Sequence, residues 1–107
     1  MVALGTDWTL AGHTGEIPVG QVKQVTVGDL RLAVCNLDGS FFAIEDVCTH
    51  DNGPLNQGCL EGEEIECPRH GALFNVRTGV ATGMPAVMPV RTFAVQLDGD
   101  AIYVHVA

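Results

Sequence analysis

Two short segments of the 107-residue chain gather the side chains best suited to holding a metal: Cys48-Thr49-His50 and Cys67-Pro68-Arg69-His70. Each offers one thiolate and one imidazole, and sixteen residues separate His50 from Cys67. Two cysteines and two histidines satisfy the tetrahedral preference of a single zinc ion. Zinc sites of that composition usually take both cysteines from one turn and both histidines from another, whereas here each segment mixes the types. A [2Fe–2S] cluster accounts for the mixing, because one iron can take two cysteines and the other two histidines. Two loops gripping such a cluster from either side would each hand one ligand to each iron. Cys48, His50, Cys67 and His70 are therefore the candidate cluster ligands, and zinc is the alternative that the residues leave open.

Both segments sit in irregular, Gly- and Pro-bearing arms, at about 46–57 and 67–72. Such loops curl around a metal and aim backbone N–H groups at anionic sulfur. The elements that must position them read as short strands cut by turn dipeptides. Strands are predicted at 22–27, 30–37 and 40–45, with Asp38-Gly39 as a hairpin turn between the last two. Short strands follow near 58–60, 63–66 and 72–76, with a turn at Thr78-Gly79, then longer ones at 91–97 and 101–106 around Asp98-Gly99-Asp100. In the last strand Ile102, Val104 and Val106 alternate with Tyr103 and His105, the period of a half-buried strand. No capped helical stripe appears. The fold class is all-β, a small antiparallel sandwich or barrel forming one domain over residues 1–107.

Composition narrows the partners. Thirteen acids against five bases give a formal charge of -8, and no Lys or Arg lies between Arg31 and Arg69. Eight acids fall in that interval: Asp38, Glu45, Asp46, Asp51, Glu61, Glu63, Glu64 and Glu66. Such a surface repels phosphate backbones and anionic lipid, so neither nucleic acid nor membrane is expected as a partner. Most of these acids read as a solvated face, with those near the arms available to steer a basic partner. The start, from Met1 to Asp7, has no basic region or long apolar run, and no stretch reaches the roughly 20 apolar residues of a membrane span. A soluble, cytoplasmic protein is expected. Cys35 lies in the apolar run Leu32-Ala33-Val34-Cys35 and reads as a small buried hydrophobe; Cys59, between the arms, reads as structural. His13 reads as a loop residue, His105 as a strand residue, and Trp8, Phe41, Phe42 and Phe93 as core. Arg69 reads equally as a counter-charge to the cluster, a partner contact or a solvent-facing loop residue.

From about Val22 to Val106 the chain resembles the Rieske ferredoxins of bacterial aromatic-ring-hydroxylating dioxygenase systems. The similarity runs through Cys48-Thr49-His50-Asp51, Leu60-Glu61-Gly62, Ile65-Glu66-Cys67-Pro68-Arg69-His70-Gly71 and Phe74-Asn75-Val76-Arg77-Thr78-Gly79. It continues through Gly83-Met84-Pro85-Ala86-Val87-Met88-Pro89 to Val90-Arg91-Thr92-Phe93. The resemblance implies a small β-sandwich with a cluster-binding subdomain at its tip, coordination through histidine Nδ1, and electron exit through surface histidines. It also implies that the Met84–Pro89 loop shields the cluster. The respiratory branch of the family carries a disulfide between the two arms; the matching positions here are Gly53 and Arg69. Where that branch has a Ser and a Tyr donating to sulfur, this chain has Ala72 and Phe74. Donors to sulfur stabilise the reduced state, so their loss places the potential at the low end of the Rieske range, roughly -150 to +300 mV.

The function implied is a one-electron shuttle, not an enzyme, carrying electrons from an NAD(P)H-dependent flavoprotein reductase to a terminal oxygenase. Docking is expected near His50 and His70, transient and salt-sensitive, with Glu45, Asp51 and Glu64 as contact acids, and the carrier is expected as a monomer. Competing classes are weaker. An oxygenase needs a mononuclear iron held by two histidines and a carboxylate, and only His13 and His105 would remain for it. A zinc-stabilised binding module is the structural alternative, separated at once by its lack of colour. A nitrite reductase small subunit shares the implied fold, but relatives of that type often lack the four ligands present here.

Overall fold

A computed structural model describes residues 8–106. The stretch from Met1 to Asp7, with its expected lack of a targeting signal, lies outside the described residues. Among the described residues, eleven strands form three antiparallel sheets. The first joins β1 (Trp8–His13), β11 (Ala101–His105) and β10 (Val95–Asp98), in that order. The second runs β2 (Val22–Val27), β3 (Leu30–Leu37), β4 (Ser40–Glu45) and β9 (Thr92–Phe93). The third runs β5 (Cys59–Glu61), β6 (Glu64–Glu66), β7 (Leu73–Asn75) and β8 (Ala81–Gly83), and carries the arms. No helix among the described residues is long and apolar enough to cross a membrane.

β3 explains how one small chain supports three layers. Residues 32–36 are all buried, and alternation along a strand sends neighbours to opposite faces. Leu32 and Val34 join one core with Ala43, Phe93, Ile102 and Val104. Ala33 and Cys35 join the other with Ile44, Leu55, Ile65 and Phe74. The unbroken apolar run containing Cys35 is therefore a strand covered on both faces, and Cys35 is fully buried as expected. The second sheet is the partition between a base and the site-bearing third sheet.

The hairpin between β3 and β4 turns on Asp38 and Gly39, with φ of 52° and 95°. Positive φ at both central residues is the requirement of a type I′ turn, which Asp-Gly meets at low cost. It fixes Leu37 opposite Ser40 and so sets the register of the whole pair. The strand expected at 91–97 divides at Ala94, because Thr92 and Phe93 pair with β4 while Val95–Asp98 pair with β11. One extended segment thus passes from the second sheet to the first. Two strands, β1 and β8, are additional to those read from sequence. His13 ends β1 opposite Ala101 rather than lying in a loop. Its N–H donates to Glu16 Oε1 at 2.7 Å.

Candidate metal centre

The two arms repeat one backbone pattern. In the first, Cys48 N–H donates to Gly53 O at 2.7 Å and Asn52 N–H returns to Cys48 O at 2.7 Å. In the second, Cys67 N–H donates to Ala72 O at 2.7 Å and Gly71 N–H returns to Cys67 O at 3.0 Å. Asn52 and Gly71, each four residues past its cysteine, both have positive φ, 63° and 77°. Each arm is thus a closed turn rooted at its cysteine. The histidines differ only in their place on the turn, two residues on for His50 and three for His70.

The turns bring all four sequence-read ligands into one region. Cys48 and Cys67 are fully buried in the same core as Leu55, Ala72, Phe74, Ala86 and Val90. Burial, with the Cys67 thiol as neighbour, pushes the Cys48 thiol up, and the backbone N–H groups of His50 and Asp51 aimed at its sulfur oppose that. His50 and His70 stand at the surface with ring centroids 5.1 Å apart and planes at 88°. Sulfur lies inside and imidazole outside.

Asp51 is the residue that the sequence misplaced. Its side chain is only 14% exposed, and its Oδ2 lies 3.3 Å from both Arg69 Nε and His70 Nδ1. Oδ1 accepts the Gly53 N–H at 2.9 Å. That bond, then Arg69, Cys48 and His70, hold its carboxyl below the usual carboxylate range against the opposing effect of burial. Asp51 is therefore a tie between arms and not an outward docking acid. The spacing Asp51-Asn52-Gly53, an Asx-turn signature, was the available signal. Glu64 also has a local partner, the Thr82 hydroxyl. Cys59 departs from its structural reading too, since its side chain is exposed on β5. Trp8, Phe41 and Phe42 are only partly buried, while Phe93 is core.

The proline-bearing loop covers the arms. Ala86 and Val90 enter their core, and Thr49 Oγ1 donates to Met88 O at 2.7 Å. Met84, Val87 and Met88 remain outside, 77%, 73% and 63% exposed.

The donor set fits an iron–sulfur cluster. Two buried thiols need a cationic centre to become thiolates, and backbone N–H groups already point at sulfur. Cys48, His50 and Asp51 alone place one ligand atom each within 4.8 Å of one another.

Comparison with known proteins agrees. Residues 7–94 match the Rieske [2Fe-2S] domain. The chain is 42% identical over 91 residues, 85% of each protein, to the ferredoxin component of biphenyl 2,3-dioxygenase from Rhodococcus jostii (strain RHA1). Its fold is similar to the ferredoxin of carbazole 1,9a-dioxygenase from Nocardioides aromaticivorans IC177, with TM-score 0.89 and 32% identity over 94% of this chain and 98% of that one. A chain from a complex of reduced oxygenase and oxidized ferredoxin in carbazole 1,9a-dioxygenase matches at TM-score 0.88 and 35% identity, over 94% of both. Two buried cysteines, two surface histidines and these matches together place the chain in the Rieske [2Fe-2S] family, beside the ferredoxin components of dioxygenase systems.

Proposed function

We propose that this chain is a Rieske ferredoxin that takes single electrons from an NAD(P)H-dependent flavoprotein reductase and delivers them to a terminal ring-hydroxylating dioxygenase. The observation that carries this reading is the radial order of the site, with Cys48 and Cys67 fully buried and the His50 and His70 rings adjacent at the surface. A [2Fe–2S] cluster held here by the two cysteines on one iron and the two histidines on the other would accept and release one electron. The chain's own residues set the conditions. The core around Ala72 and Phe74 excludes water and offers sulfur no hydroxyl donor, which favours a low potential. The surface imidazoles give the electron a short exit, and Met84, Val87 and Met88 offer an apolar rim on which a partner can seat.

The partners follow from the relatives, which are ferredoxin components of biphenyl and carbazole dioxygenase systems. Docking is transient, near His50 and His70, by a monomeric cytoplasmic carrier that forms one domain over 1–107 with arms at about 46–57 and 67–72. It has no catalytic step of its own. Stopped-flow mixing of the dithionite-reduced protein with an oxidised biphenyl-type terminal oxygenase tests this. The expected result is oxygenase reduction at a rate that changes with ionic strength. A loaded protein that reduces no terminal oxygenase but passes its electron to an unrelated acceptor would favour another redox chain.

A further inference from the structure

The first arm leaves and rejoins the body of the protein on one carboxylate. Asp46 directly follows β4 and is 1% exposed. Its N–H donates to Arg31 O at 2.8 Å, extending the ladder with β3. Its Oδ1 accepts the N–H groups of Leu55 and Asn56, each at 2.7 Å. Its Oδ2 accepts Gln24 Nε2, from β2, at 2.6 Å. Cys48 and His50 lie on the stretch of chain between these tie points. One side chain therefore joins the root of the arm, its return and the second sheet.

The charge calls for a separate reason. Burying a carboxylate without a cation is costly, and among the described residues no ion pair includes Asp46. Three short hydrogen bonds to the charged form offset that cost. Yet a neutral amide oxygen would accept the same two backbone N–H groups, so hydrogen bonding does not require the charge. Its field reaches Cys35, which shares a core with Cys48 and Cys67. Leu55, tied to Oδ1, packs there with Cys35, Cys48 and Cys67. Burial, and after it the Asp46 charge, pushes the Cys35 thiol up to about 12.

We infer that Asp46 is a positioning residue for the cluster, pinning the arm that bears Cys48 and His50 and holding the reduction potential down through its uncompensated charge. Reduction would add negative charge at the arm that this fixed anion anchors, and like charges repel more strongly where water is excluded. The inference rests on the cluster reading above. Asp46→Asn removes the charge and keeps an acceptor for Leu55 and Asn56, with the Gln24 amide turned so that its oxygen accepts the new NH2; Asp46→Ala removes the charge and all three bonds.

The holoproteins are compared by EPR, film voltammetry and the rate of cluster loss to a chelator. Asp46→Asn is expected to keep its cluster with unchanged g values and a raised potential. Asp46→Ala is expected to lose its cluster several-fold faster than wild type. Where Asp46→Ala yields no folded protein, Gln24→Ala, which removes only the third bond, carries the retention measurement and is expected to lose cluster faster too. An unchanged potential in Asp46→Asn, or wild-type retention in the variant measured, overturns the inference. A wild-type protein that takes up no cluster overturns the cluster reading itself, whereas a loaded wild type with indifferent variants overturns only the role of Asp46.

Discussion

Arg69 Nε lies 3.3 Å from Asp51 Oδ2, so an ion pair joins the second arm to the first. The same two arms meet again beside it, where a Cβ at Gly53 would stand 3.1 Å from Arg69 Cδ. The resemblance to the Rieske family implies that positions 53 and 69 correspond to the arm-linking disulfide of its respiratory branch. Here the arms are tied by a reversible ion pair between Asp51 and Arg69. Arg69 is 60% exposed at its side chain, so salt weakens the tie. Cluster loss to a chelator should therefore accelerate with ionic strength in the wild type. It should be faster, and nearly independent of salt, in Arg69→Ala.

The absence of hydroxyls at positions 72 and 74 has a measurable consequence. Both residues are fully buried in the core of the cysteines. Ala72→Ser and Phe74→Tyr each introduce a donor where reduced sulfur would gain most from one. Film voltammetry should find a higher potential in each and the highest in the double variant. A lowered potential in either single variant would contradict the role assigned to these positions.

Packing at the base of the arms leaves little tolerance. A Cβ on Gly58 would stand 1.8 Å from Glu66 O, so Gly58→Ala must displace backbone at the entry to β5. Overpacking of this kind costs about 1–3 kcal/mol. Phe74→Ala removes the largest fully buried side chain among the described residues and should cost about 3–5 kcal/mol. Chemical denaturation of the loaded protein checks both, and Phe74→Ala should be the more damaging.

The four cysteines should separate by reactivity. Cys59 is exposed, while Cys35, Cys48 and Cys67 are buried. Iodoacetamide on the native loaded protein should label Cys59 alone, read by mass spectrometry, and all four after unfolding. The raised Cys35 thiol adds a pH dependence. The folded chain keeps this proton up to about 12, whereas the unfolded chain loses it near the ordinary thiol value of about 8.5. The unfolded state then binds fewer protons, so this residue lowers stability as pH climbs through that window and has no effect below it. Cys35→Ala should flatten that alkaline decline.

Much of this was legible from residue order. The strands at 22–27, 30–37 and 40–45 coincide with their expected bounds, because Asp38-Gly39 admits one register and the apolar run at 32–35 admits one covered strand. That Cys48, His50, Cys67 and His70 lie in one region was legible because C-x-H and C-x-x-H place one thiol and one imidazole in each arm. What escaped depended on distant chain. β8 exists only by pairing with β7, and the break at Ala94 reflects two different partners on either side of it. The acids were the hardest to read, since composition treats all thirteen alike. Asp46 and Asp51 differ from the rest only because the arms fold back over them.

The most direct test of the central claim is EPR of the dithionite-reduced protein, with iron and sulfide counted on the same sample. The account expects two irons and two sulfides per chain. It also expects an average g below that of all-cysteine ferredoxins, and nitrogen hyperfine coupling from two histidines that is lost in part in His50→Cys or His70→Cys. A colourless, EPR-silent protein holding one zinc per chain when purified from natively grown cells would contradict it.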